Sequence, residues 1–158
     1  MRYVEDARAL PDRLTRGQKL LGLDLGSKTI GLAVSDTGLK IATPRETIKR
    51  RKFGVDAERL EQVIAADDIG GLVVGLPVNM NGTHGARAES TKAFIRNLGK
   101  RDGFPDLPVL FQDERLSTAA VERTLIEADM SRAKRAQVVD KMAAAYILQG
   151  ALDRIAHD

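Results

Sequence analysis

Cysteine and tryptophan are absent from this 158-residue chain, and only two histidines are present. Without cysteine there is no disulfide framework, no thiolate metal site and no cysteine nucleophile. Two histidines leave little scope for an imidazole-rich zinc site. Aromatic residues make up 4% of the chain, so the core must be aliphatic. No apolar run approaches the roughly 20 residues of a membrane span. The stretch from Met1 to Lys19 mixes acids with bases and lacks a secretory apolar segment. These absences lead to the expectation of a soluble cytoplasmic protein with no membrane partner. The length suits one domain, and such a domain buries about 70% of its unfolded surface. The net charge of +3 permits a nucleic-acid partner without requiring one.

Residues 1–19 carry five basic and three acidic side chains and little apolar pattern. They read as an N-terminal extension or a loosely docked helix outside the core. From Leu20 to Gly26 the chain alternates, with Leu21, Leu23 and Leu25 on one face and Leu20, Gly22, Asp24 and Gly26 on the other. Ile30 to Ser35 resumes the alternation, so a hairpin is expected, with a third strand within Ile41 to Ile48. Helical spacing follows at Val55, Leu60, Val63 and Ile64. Leu72 to Leu76 is a continuous apolar run, the pattern of a strand covered on both faces. A glycine-bearing loop, a helix over 86–98, a strand over 109–112 and helices over 117–128 and 136–155 complete the order. The sum is an α/β domain whose mixed five-stranded sheet is flanked by helices.

Three acids stand where acids are costly. Asp24 lies mid-strand between Gly22 and Gly26, and a buried unpaired carboxylate needs a partner. It could instead cap a turn or pair with Lys28. Asp113 and Glu114 close the strand that starts at Val109, at the end where α/β sheets bind ligands. Alternation puts Glu114 with Gln112 and Asp113 with Phe111, which favours Glu114 as the site residue. A salt bridge to Arg115 or a helix cap is the plainer reading. Asp140 shares a helix stripe with Ala144, Ile147, Ala151 and Ile155, although an acid in a first helical turn is also favoured by the dipole. Three carboxylates brought to one point repel unless a cation neutralises them, and oxygen ligands select hard ions such as Mg²⁺ or Mn²⁺. Basic groups are densest in Lys49-Arg50-Arg51-Lys52, just after Arg45. Stacking platforms for bases are nearly absent, with Phe53 and Phe104 as the loop candidates.

Four segments together carry a resemblance. Leu23-Asp24-Leu25-Gly26-Ser27-Lys28-Thr29-Ile30-Gly31 resembles the opening motif of the YqgF (RuvX) family. Val73-Val74-Gly75-Leu76-Pro77 with Asn79 to Thr83, Asp113-Glu114-Arg115-Leu116-Ser117-Thr118, and Asp140-Lys141-Met142-Ala143-Ala144 follow in the family's order. The resemblance spans about Leu20 to Leu152, so residues 20–158 would form the nuclease domain. It implies a ribonuclease H-like fold, a likeness to Holliday-junction resolvases, and a role in maturing the 5′ end of pre-16S rRNA. It also implies that Asp24, Glu114 and Asp140 are catalytic and hold Mg²⁺ or Mn²⁺, with Asp24 bridging two ions about 3.5–4 Å apart. Substrate phosphates would meet Lys28, Arg50, Arg51, Lys52, Arg87 and Arg115. The partner would be RNA or structured DNA, and a four-way junction would call for a homodimer. Two readings of other kinds compete. One is a binding module without catalysis. The other is an ATP phosphotransferase of the sugar-kinase type, which needs a second domain and a second phosphate loop that this short chain lacks.

Overall fold

A computed structural model describes residues 1–77, 81–114 and 132–157, with the backbone alone over 132–140. Strand β1 (Arg2–Val4) is followed by two single 3-10 turns, Ala7–Ala9 and Pro11–Arg13. Strands β2 (Lys19–Leu25), β3 (Thr29–Ser35) and β4 (Ala42–Lys49) form an antiparallel meander. Then come α1 (Phe53–Ala66), β5 (Ile69–Leu76), α2 (Ala86–Lys100), β6 (Pro108–Asp113) and α3 (Arg132–Ala156). The sheet order is β1-β6-β5-β2-β3-β4, and β2, β5, β6 and β1 run parallel. The helix expected over 117–128 lies outside the described residues.

The sheet has six strands, not the five expected. The added strand is β1, drawn from the segment read as an extension outside the core. Val4, Ala7 and Leu10 are buried and pack with the apolar stripe of α3. Three residues are too few to show a period of two, and β1 exists because β6 offers it a parallel ladder, Tyr3 opposite Val109.

The expected alternation of β2 divides the protein into two layers. Leu21, Leu23 and Leu25 face α1 and α2, where they meet Leu60, Val63, Phe94, Ile95 and Leu98. Each such fully buried leucine contributes about 1.5–3 kcal/mol of transfer free energy. Leu20 faces the other way with Val73 and Leu110, against Ala144, Ile147, Leu148 and Ala151 of α3. Gly22 lets α3 come close: a Cβ there would lie 2.8 Å from Leu148 Cβ and 2.9 Å from the Ala144 carbonyl oxygen. A side-chain amide fastens the helix. The Ala42 N–H donates to Gln149 Oε1 at 2.9 Å, and Gln149 Nε2 donates to the Lys40 carbonyl at 2.8 Å. Among the described residues no helix is long and apolar enough to cross a membrane.

Candidate active site

The carboxyl ends of β2, β5 and β6 lie side by side. Asp24, the penultimate residue of β2, sits on the α3 side and is partly buried. Glu114 directly follows β6, and its backbone N–H donates to the Leu76 carbonyl at 3.3 Å. Strand β5 runs between the two, so their backbones are two strand spacings apart, about 9–10 Å. The side chains span that gap over Gly75. A Cβ on Gly75 would stand 2.5 Å from Glu114 Oε2 and would also strike Ile147 of α3. A bare backbone at that position is what opens the space for the carboxyl.

Across this gap Glu114 hydrogen-bonds to Asp24. Burial first, then the Asp24 charge and hydrogen bond, together push the Glu114 carboxyl up to about 8 against the pull of Arg87. Two carboxylates this close cannot both ionise unaided, so the pair holds a proton between them. A divalent cation could take that proton's place, because the donors are hard oxygens and the repulsion calls for positive charge. The residues present therefore fit such an ion. Asp113, on the opposite alternation, is exposed.

Among the described side chains no group of three carboxylates or imidazoles converges. Position 140 lies in α3, one turn before Ala144, which abuts Gly22, but the Asp140 side chain is outside those described.

The cationic residues divide. Arg50 and Arg87 line one small cavity of about 100 Å³ with Gly26, Ser27, Ser90 and Thr91. Arg50 Nη1 donates to the Gly26 carbonyl at 2.7 Å, its backbone N–H donates to the Lys28 carbonyl at 2.8 Å, and its guanidinium lies 5.2 Å from the Phe94 ring centre. It thereby braces the turn that follows Asp24. Lys28, Arg51 and Lys52 are exposed, and Arg51 gives its backbone N–H to the buried Asp56 carboxylate at 3.1 Å. Arg45 is committed elsewhere, to Asp67 at 2.5 Å and to Glu46. Arg115 lies outside the described residues. Neither loop aromatic is a free platform: Phe53 packs edge-on to Phe94 at 5.4 Å, and Phe104 packs on the core. Sequence reasoning gave no individual role to Gly75, whose signal is the glycine interrupting the apolar run from Leu72 to Leu76.

A family profile described as "RuvX: Holliday junction resolvase" matches residues 18–154. The chain belongs to the RuvX family. Its relatives include a Roseobacter denitrificans protein, 59% identical over 152 residues, which covers 96% of this chain and 93% of that protein. A Paramagnetospirillum magneticum protein is 60% identical over 140 residues, with 89% and 88% covered. Both carry the name "Putative pre-16S rRNA nuclease". Among solved structures, Thermus thermophilus RuvC in complex with a Holliday-junction substrate aligns with a TM-score of 0.53. It is 15% identical, with 88% of this chain and 96% of that chain covered, so the likeness concerns the fold. The RuvX chain thus has the ribonuclease H-like architecture expected from its motifs.

Proposed function

We propose that this RuvX-family chain is a divalent-metal-dependent nuclease that hydrolyses phosphodiester bonds in precursor 16S rRNA, at the 5′ end. The observation that carries the reading is the Asp24–Glu114 carboxyl pair held over Gly75 at the carboxyl edge of the sheet. Asp24 and Glu114 would hold Mg²⁺ or Mn²⁺, with Asp140 of α3 as the third ligand. A metal bound there supplies Lewis-acid activation of water and charge stabilisation at the leaving oxygen. Arg87 lies near enough to Glu114 to act on its charge, and with Arg50 it is suited to a neighbouring phosphate. Lys28, Arg51, Lys52 and Arg115 would add phosphate contacts that set affinity and salt dependence rather than sequence. The relatives' shared name favours RNA. The family description favours a second reading, cleavage of four-way DNA junctions by a homodimer.

One experiment addresses both. Purified protein is incubated with a pre-16S 5′-end RNA and with a four-way DNA junction, each with Mg²⁺, Mn²⁺ or chelator. Metal-dependent cutting of the RNA in preference to the junction is expected. Cutting that survives chelation, or that is unchanged by Asp24→Asn, would sink the reading. Preference for the junction would move it to the second.

A further inference from the structure

A second groove lies at the β1 edge of the sheet, on the side away from α3. The ladder sets Tyr3 opposite Val109, and Phe111 is two residues further along β6 on the same face. Their rings stack at 5.6 Å between centres with 14° between planes, an offset parallel pair. Tyr3 is 49% exposed, a large share for an aromatic ring. Residues 3 and 111 are far apart in the chain, so no run of sequence displays this platform. The groove beside it has a volume of about 470 Å³, and its facing wall carries His84, Lys92 and Arg96. Lys92 and Arg96 are four apart on α2 and so share a face. Lys92 Nζ lies 3.0 Å from His84 Nδ1 and 3.7 Å from Glu89 Oε1, Glu5 borders the groove on the β1 side, and Arg96 makes no ion pair among the described residues.

The geometry points to this groove as a binding site for an unpaired nucleotide of the substrate strand. The exposed Tyr3 ring, backed by the partly buried Phe111, accepts any base by stacking, and Arg96, beside the Glu89-paired Lys92, suits the phosphate that comes with the base. An apolar peptide would leave Arg96 unmatched. A duplex could not use the rings, because its bases are already stacked on one another. Phe111 is three residues before Glu114, about 10 Å along an extended strand, or roughly three stacked nucleotide steps. The rings lie on the α2 side of the sheet and the carboxyl pair on the α3 side, so a single-stranded flank on the rings would pass over the carboxyl edge of the sheet before a phosphodiester meets the pair. The inference rests on the nuclease reading for why a strand lies there at all.

The test measures binding by fluorescence anisotropy of the full-length protein in chelator, so that cutting does not interfere. The probes are a labelled RNA hairpin with a short single-stranded adenosine tail and the same hairpin blunt. Wild type should prefer the tailed probe. Tyr3→Ala should weaken the tailed probe about tenfold and leave the blunt one unchanged, while Tyr3→Phe keeps the preference. Arg96→Ala should weaken tail binding and lower the salt slope by about one. A second readout does not depend on Tyr3→Ala folding. In a Tyr146→Phe background Tyr3 is the only tyrosine of a chain without tryptophan, and the tailed probe should quench its fluorescence where the blunt probe does not. Equal affinity for both probes in wild type, or equal weakening of both by Tyr3→Ala, overturns the proposal. So does a change of oligomeric state on Tyr3→Ala with tail preference intact, which would assign the groove to a second copy. A protein that prefers the tail but cuts nothing would refute the nuclease reading and leave the groove standing. A protein that cuts but ignores the tail would do the reverse.

Discussion

The two faces of β2 are built from the same seven residues and do opposite things. Toward α1 and α2 it presents Leu21, Leu23 and Leu25, all buried. Toward α3 it presents Leu20, Gly22 and Asp24. The first face maximises apolar contact. The second gives up one side chain at Gly22, admits a helix at close range there and keeps a charge partly buried at Asp24. Stability and chemistry are thus assigned to opposite sides of one strand, and substitutions on each side should separate them.

The largest separation is expected from Asp24→Asn. Cleavage should fall about 10³-fold or more, at least 4 kcal/mol of barrier, while metal-free thermal stability does not drop, because the amide still offers Glu114 an acceptor and a partly buried charge is removed. Paired melts and turnover assays check this, and a large stability loss would break the division of faces. Leu23→Ala is the mirror case. It should cost about 2–5 kcal/mol in denaturant unfolding, with cleavage per folded molecule retained. Gly22→Ala falls between them. Its Cβ must displace Leu148 or the backbone of α3, so a cost of about 1–3 kcal/mol is expected, together with reduced cleavage because α3 shifts.

The smallest effect is on pH dependence. Glu114 rises from an ordinary 4.5 to about 8 in the folded chain. A carboxyl raised on folding binds more protons folded than unfolded across that window, so it makes metal-free stability fall as pH rises from about 4.5 to 8. Asp36 and Glu46 are lowered instead, by backbone N–H donors at Lys40 and Ile41 and by Arg59 respectively. Their contribution is lost only as pH falls below the ordinary carboxylate range, so the two windows do not overlap. Mn²⁺ should therefore raise Tm more at pH 8 than at pH 5, and Asp24→Asn should flatten the metal-free slope. Scanning calorimetry with and without Mn²⁺ measures both, and an Mn²⁺ effect independent of pH would count against the carboxyl pair as its site.

The faces of β2 were legible because a strand's period of two is local, and Leu20 to Leu25 displays it without help. The same rule separated Glu114 from Asp113 at the end of β6, and the structure does set Glu114 toward Asp24 and leave Asp113 exposed. What escaped depends on partners distant in the chain. Three residues of β1 carry no period and need β6 to become a strand. Arg45 looked like part of a basic patch, yet it pairs with Asp67, twenty-two positions away. The scarcity of aromatics was read correctly as composition and misleadingly as geometry. The named loop phenylalanines serve the core, while Tyr3 and Phe111 meet across strands to make the platform that counting did not show.

The Gln149 amide that bonds to Lys40 and Ala42 has a consequence for the length of α3. Position 140 is nine residues before that anchor, about 13.5 Å of helix at 1.5 Å per residue. With Gln149 tied to the start of β4 and Ala144 seated on Gly22, the helix is a ruler whose zero is fixed. Removing one residue between 140 and 144 would swing position 140 by about 100° around the helix axis while every contact beyond Ala144 stayed in place. Within that span, spacing should tolerate less change than residue identity.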